Sequence, residues 1–290
     1  MILRPAELNA GAIARARVLS PGAFDAPLAH RLPAGALVAA FLALTVYCVV
    51  LFDISPLRLW AGMGKLVDVV GHMFPPTAKG AAWDYVYAML QTVAMAFLGT
   101  VIAAVLAVPL GFACARNMVP GWVMRFVFRR SSDVLRGVDQ LIWALIFVRA
   151  VGLGPLAGIL AIIISDTGTL AKLYSEAIEN IDRKPVEGVR ASGASAVQTM
   201  RFGVLPQVLP IMLSNVLYIF ESNTRSATIL GMVGAGGIGF YLADRIRTLL
   251  WEEACFILLL ILGTVYIIDW GSKQVRNRLI QGRDSTPALH

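Results

Sequence analysis

The sequence predicts an all-α, polytopic membrane protein with six transmembrane helices. Three observations carry that prediction. Of the 290 residues, 58% are hydrophobic and only 15% charged, and the mean hydropathy is +0.72. A soluble domain has about a quarter charged residues, and single cores stop growing near this length, so much of this apolar surface has to meet lipid. Uncharged runs approaching the ~20 residues of a membrane-spanning helix recur along the chain. The net charge of +7 sits mostly in alternate connections between those runs. That is the pattern of Lys and Arg retained on the cytoplasmic side, and it points away from nucleic acid as a partner. Disordered, collagen-like and disulfide-scaffold classes do not fit this composition, and a soluble α/β enzyme fits it poorly.

Residues 1–33 read as a polar, Arg-bearing cytoplasmic arm with no cleavable signal-peptide pattern. Residues 34–84 hold the first membrane helix and an external amphipathic segment. The uncharged stretch 32–52, between Arg31 and Asp53, is the first span. Residues 57–74 suit a short helix lying at the interface, ended by Pro75 and Pro76. The core, 85–270, opens with the longest apolar run, 85–115. It is too long for a straight crossing; Pro109 and Gly111 are candidate kinks and Gly99 a close-packing point. A basic connection with Arg116, Arg125, Arg129, Arg130 and Arg136 follows.

The third span, 135–148, starts among Arg136 and Asp139. Gly152 and Gly154-Pro155 turn the chain into the fourth, 156–170, with Asp166 near its end. A polar connection, 172–206, precedes the fifth span, 207–230. A Gly-rich turn and the charged stretch 244–253 lead to the sixth span, 254–268, and a basic tail, 271–290. With both termini cytoplasmic, 18 of the 25 Lys and Arg fall on the inner side and 6 on the outer. The inverse orientation would reverse that bias. Trp60, Trp83, Trp122, Trp251 and Trp270 lie near span ends, as interfacial anchors do.

The connection 172–206 holds the most specific pattern, Glu187-Gly-Val-Arg-Ala191-Ser-Gly193 followed by Gly203-Val-Leu205-Pro206. It reads as a short helix, a glycine break, a second short helix, and a proline opening the next span. Such a stiff unit suits docking into a groove of another protein and passing motion to the attached spans. An ordinary solvated loop with interfacial helices has the same spacing.

The pattern resembles the EAA motif of ABC importer permeases: Glu187, Gly193 six residues on, then Leu205 and Pro206 twelve and thirteen beyond that glycine. Gly188 and Val189 take the two alanine positions and Gly203 replaces the usual isoleucine. The flanks resemble the phosphonate branch: Ser175-Glu-Ala-Ile-Glu179, Pro185-Val-Glu-Gly188, Gly203-Val-Leu-Pro-Gln-Val208, Phe220-Glu-Ser-Asn223, Arg225-Ser226-Ala227 and Gly231-Met-Val-Gly-Ala-Gly-Gly-Ile-Gly239. Leu98-Gly-Thr100 and Val151-Gly-Leu-Gly-Pro155 add to this. The resemblance covers residues 85–280 and is dense over 175–239.

It implies the type I importer permease architecture in a bacterial inner membrane. The chain would form a homodimer with two cytoplasmic ABC ATPase subunits and an extracytoplasmic phosphonate-binding protein. The cargo would be phosphonate or a related phosphorus oxyanion such as phosphite. ATP and Mg would be bound by the partner ATPase, so this chain itself carries no cofactor and is not an enzyme. Glu187, Ala191, Gly193, Leu205 and Pro206 carry over as coupling residues.

Gly234-Ala-Gly236-Gly237-Ile-Gly239 matches the GxGxxG pattern of dinucleotide sites, but it lies between two membrane-length runs without a strand before it. Gly234, Gly236, Gly237 and Gly239 read instead as a place where backbones approach and bend, either an external gate or a packing turn. Glu221 and Arg225, four apart on one helix face, are charges at membrane depth. With Asn223 and Ser226 they are candidates for a hydrated translocation path, where Arg225 would attract the anion. The other reading is a structural ion pair holding the fifth span. No HExxH, Cys/His cluster or GxSxG occurs, so neither a metal site nor an intramembrane hydrolase is indicated. A secondary transporter or anion channel working without an ATPase is the alternative; the coupling-type connection and the lack of internal repeats argue against it.

Overall fold

In the computed structural model, residue 18 and residues 28–118 and 121–284 are described; most of the expected N-terminal arm and the last six residues of the tail lie outside them. The described residues are helical and connecting segments, with no strand among them. They divide into two compact units, residues 1–68 and 69–290.

The first unit holds α1 (Leu28–Leu51) and most of α2 (Pro56–His72), bent by 56° across the short break between them. Asp53 and Arg58 pair across the break, and Asp53 takes a positive φ of 49°. Both helices leave large apolar side chains uncovered, Phe41, Tyr47, Trp60 and Val67 among them. α2 covers most of the stretch 57–74 expected to be helical.

In the second unit α3 (Ala82–Cys114) runs unbroken through Pro109. Its small residues Gly99, Ala103, Ala107 and Gly111 recur every fourth position and are buried. That spacing puts them on one face, where a neighbouring helix can come close. The neighbour is α6 (Pro155–Glu179): a Cβ built on Gly99 would stand 2.6 Å from Ile162 Cγ2, and one on Gly111 2.7 Å from Tyr174 Cβ. Gly111, expected as a kink, is therefore a contact point. The opposite face of α3 shows Leu90, Phe97, Val101 and Val105 uncovered, as a lipid-facing surface requires.

The third expected span is split. Helix α4 (Trp122–Gly137) consumes its start, Val138 is extended, and α5 (Gln140–Val151) begins on Asp139, whose carboxylate accepts from Leu141 N at 2.8 Å. An Asp at this point satisfies a free N–H and starts a new helix in place of continuing the old one. At 12 residues, α5 is about 18 Å long, short of the ~30 Å hydrocarbon core.

Among the described residues, four helical segments are long and apolar enough to cross alone, and a fifth crossing results if the bent α1–α2 pair is one span. These are α3, α6, the 196–235 segment, in which Gly234 leaves helical geometry (φ +106°), and α11 (Trp251–Asp284). Within 196–235 lie α8 (Ala196–Thr199), a π turn (Met200–Val204), α9 (Leu205–Leu230) and a second π turn (Gly231–Ala235). The expected sixth span and the start of the tail are one helix, since α11 continues through 271–284. The remaining helices are α7 (Arg183–Ala191) and α10 (Ile238–Arg247).

Among the described residues, three apolar clusters hold this unit together. One gathers Leu170, Tyr174, Ile178, Val204 and Val208 at the end where α6 meets α9. A second, around Tyr85, Ile238 and Ile257, closes the opposite end. Between them Ala144, Ile162 and Leu230 join α5, α6 and α9. The opposite end is also tied by charge: Arg245 Nε lies 3.0 Å from Glu253, whose carboxylate accepts from the Tyr85 hydroxyl, and Lys79 lies 3.0 Å from Glu252.

Candidate functional site

The connection between α6 and α9 is built from local signals. α6 ends at Glu179, and Asp182 caps α7 by accepting from Lys184 N at 3.1 Å. Gly193 follows α7 with φ +82°, a conformation that L side chains rarely adopt. Ser195 and Gln198 form a reciprocal capping box on α8. The π turn and Pro206 then open α9.

Two contacts make this a single piece. A Cβ on Gly203 would lie 3.2 Å from Val186 Cα, so α7 rests directly on the π turn. The isoleucine usual at that position in the motif would push α7 away. Gln207 accepts from Asp182 N at 3.0 Å and donates to the carbonyls of Asp182 (3.2 Å) and Gly203 (2.8 Å), clipping the start of α7 to the start of α9. Glu187, Ala191, Gly193 and Pro206 are exposed and Leu205 is half-buried. Val197 and Phe202 stand uncovered beside them. The arrangement offers a rigid, partly apolar, partly charged face at the end of two membrane-length helices.

On α9 the structure divides the four expected path residues. Glu221 and Arg225 do approach, at 3.5 Å, but as half of a four-residue network. Arg225 also lies 3.5 Å from Asp269, and Glu221 lies 3.4 Å from Arg276, both on α11. The charges balance, and the network ties α9 to α11. The residue Arg276, expected in the basic tail, is part of that contact. Ser226 is half-buried. Asn223 points elsewhere, into a buried polar cluster. It donates to Thr100 Oγ1 at 2.8 Å and to the Asp166 carboxylate, and Gln140 Nε2 reaches both Asn223 Oδ1 (3.1 Å) and Asp166 Oδ1 (3.3 Å). Four helices, α3, α5, α6 and α9, meet there.

That cluster was missed as a unit by sequence reasoning, although Asp166 within an apolar run is a signal by itself. Gln207 was missed too, because nothing in the sequence marks it as the partner of Asp182.

At the far end of α9 the glycine run forms a tight corner. Gly237, with φ +73°, presses on Thr92, whose Oγ1 accepts from Ile238 N at 2.9 Å. A Cβ there would overlap Thr92. Gly239 packs on the Thr228 carbonyl, Gly236 on Pro155, and the Gly234 carbonyl accepts from Gly154 N at 3.0 Å. The helical turns on either side and the lack of a strand among the described residues fit the bend read from the sequence, not a dinucleotide site.

The comparisons with known proteins agree with this picture. A family profile described as "Binding-protein-dependent transport system inner membrane component" matches residues 107–278. The chain is 38% identical over 269 residues to the phosphate-import permease protein PhnE of Mycolicibacterium smegmatis, covering 93% of this chain and 51% of that one. It therefore spans about half the length of that relative. It is 37% identical over 243 residues to the putative phosphite transport system permease protein HtxC of Stutzerimonas stutzeri, covering 80% and 83% respectively. Among solved structures, an inward-facing form of the MetNI methionine ABC transporter superposes with a TM-score of 0.62 at 20% identity, covering 70% of this chain and 99% of that one. At such identity the likeness speaks for the fold alone. With an all-helical membrane core, a stiff connection clipped across two of its helices, and a family match over more than half its length, the chain belongs to the inner membrane components of binding-protein-dependent transport systems, the permease subunits of ABC importers.

Proposed function

We propose that this chain lines the path by which phosphonates, or related phosphorus oxyanions such as phosphite, cross the bacterial inner membrane. It works as a homodimer, with both termini cytoplasmic. Two ABC ATPase subunits dock on the inner face, hydrolyse ATP with Mg, and pull on the α7–α8 connection. An extracytoplasmic phosphonate-binding protein delivers the cargo. The observation that carries this reading is the clip made by Gln207 and by the Val186–Gly203 contact. A force applied at Glu187, Ala191 and Gly193 passes directly to Leu205, Pro206 and the start of α9, and through Asp182 to the end of α6.

In that mechanism α6 and α9 move together at their inner ends while the corner at Gly234, Gly236, Gly237 and Gly239 acts as the outer gate's hinge. Along α9, Glu221, Arg225 and Ser226 face the path, and Asn223 anchors the helix from behind. The balanced Glu221–Arg225–Asp269–Arg276 network gives the path a polar wall with no net charge, which suits an anion that must pass without being held.

The test is co-expression with candidate ATPase and binding-protein genes, followed by purification and uptake in proteoliposomes. A stoichiometric ATPase, and uptake of phosphonate or phosphite that needs ATP, are expected. Anion uptake that persists without any ATPase and collapses with the ion gradient would establish the secondary transporter in its place. Growth of a deletion strain on single phosphorus sources, restored by this chain with its partners, separates phosphonate from phosphite.

A further inference from the structure

Helix α4 takes no part in the clip or in the polar groups of α9, yet its sequence is distinctive. Trp122-Val-Met-Arg125-Phe126-Val-Phe-Arg129-Arg130 mixes large apolar side chains with arginines. Trp122, Val123, Met124, Phe126 and Val127 are all at least half exposed, and Ser132 is the helix's single buried residue. Arg116, Trp122, Arg125, Phe126, Arg129 and Arg130 line one open cleft of about 280 Å³. Within it Trp122 and Phe126 stack, with centroids 5.9 Å apart, and the Arg130 guanidinium carbon lies 5.4 Å from the Phe126 ring centre.

Two of the four guanidiniums are held in place. Arg129 pairs with Glu179 at 2.9 Å and Arg130 with Asp133 at 3.1 Å. Among the described residues Arg116 and Arg125 have no carboxylate partner within salt-bridge distance. The cleft thus has a surplus of positive charge beside an exposed apolar strip. A water-facing surface has no use for that strip, and a protein interior would not tolerate the arginines.

We propose that this cleft binds the headgroup of an anionic phospholipid, with Arg116 and Arg125 on the phosphate and the acyl chains over the Trp122–Val127 face. Planar guanidinium forks match phosphate oxygens, and amphipathic helices with aromatic and basic residues lie at membrane interfaces. The site stands apart from the coupling reading; its place in the cytoplasmic leaflet rests on the topology proposed above, which puts the 116–136 connection on the inner side. The site is fixed to α6, since Glu179, which holds Arg129, also accepts from Arg116 N at 2.8 Å, and a Cβ on Gly168 would lie 2.7 Å from the Ser132 carbonyl.

The experiment is native mass spectrometry of the purified full chain with dioleoyl phosphatidylglycerol or dioleoyl phosphatidylcholine at equal concentration. Each basic residue near an anionic surface is worth about fivefold in binding. The wild type should retain phosphatidylglycerol preferentially, and R116Q/R125Q should lose about five- to 25-fold of that preference. R116K/R125K should keep most of it, as should R149Q/R247Q, which removes the same charge elsewhere. Equal retention of both lipids by the wild type, or an unchanged preference in R116Q/R125Q, overturns the proposal. Displacement of the lipid by millimolar sn-glycerol 1-phosphate also overturns it, making the ligand a soluble phosphoester. Should R116Q/R125Q lose the wild-type elution profile, R116Q and R125Q singly carry the same comparison.

Discussion

Substituting Gly111 by alanine probes a close approach of α3 and α6. The added Cβ would lie 2.7 Å from Tyr174 Cβ and 3.4 Å from the Ala171 carbonyl oxygen. Carbon atoms are in comfortable contact at about 3.5–4.0 Å, so the helices have to separate locally by about 1 Å. No rotamer change relieves this, because Tyr174 Cβ is fixed to its own backbone. Separation loosens Ala107, Leu170 and Ala171, all fully buried alongside. Overpacking of this kind costs about 1–3 kcal/mol. Alanine's better helix propensity offsets up to about 1 kcal/mol of that. Gly263→Ala on α11, where nothing lies within 4 Å of the new methyl, makes the same chemical change without the contact. The difference between the two variants is therefore the packing cost itself, expected at about 1–3 kcal/mol.

The assay is reversible unfolding in mixed micelles by dodecyl sulfate titration, followed by far-ultraviolet circular dichroism. Tyr174→Ala supplies an internal check, since it removes the ring and leaves the Cβ. In a Y174A background G111A should therefore still be less stable than G263A, because the clashing Cβ remains. Equal midpoints for G111A and G263A, or a Y174A background that erases their difference, would refute the account of α3–α6 spacing.

Three further outcomes follow from the site. Gly193→Val forces a β-branched residue into a positive-φ position at a cost of about 1–3 kcal/mol; uptake should fall at least tenfold while the inserted amount and ATP hydrolysis remain, and normal uptake would contradict the coupling role. Arg225→Ala strands Asp269 and half of Glu221 at a partly exposed network, so stability should change by about 1 kcal/mol or less, and E221Q/R225Q should transport within about twofold of wild type if the network is structural; a deep loss in that neutral pair gives Arg225 a direct part in handling the anion. Asn223→Leu removes the donor to Thr100 and Asp166 and should cost about 2–4 kcal/mol, whereas adding Asp166→Leu should recover part of it, because deleting both partners of a buried bond is cheaper than deleting one; a double variant worse than the sum would refute the cluster's pairing.

Much of this architecture was legible in the chain itself. A run of apolar residues declares its solvent without reference to any partner, so the spans at α3, α6, α9 and α11 could be read directly. Caps and breakers act within a few residues, so Pro206 at the head of α9 and the turn at Gly193 were visible as well. The third span misled for a related reason: hydropathy averages over Gly137, Val138 and Asp139, whereas a single capping carboxylate decides where one helix stops and another starts.

What the one-dimensional pattern cannot hold is the rotation and separation of helices about one another. Glu221 and Arg225 announce a pair through their spacing, but Arg276 and Asp269 join them only because α11 runs on past its expected end and turns those residues toward α9. Asn223 sits two residues from Glu221 yet faces the opposite way, to meet Thr100, Gln140 and Asp166 from three other helices. Gln207 is an unremarked polar residue until folding brings Asp182 beside it. Local free energy fixes which segments are helical and which enter lipid; the identity of each buried polar partner is set by interhelical packing, where a glycine's missing methyl decides which faces meet.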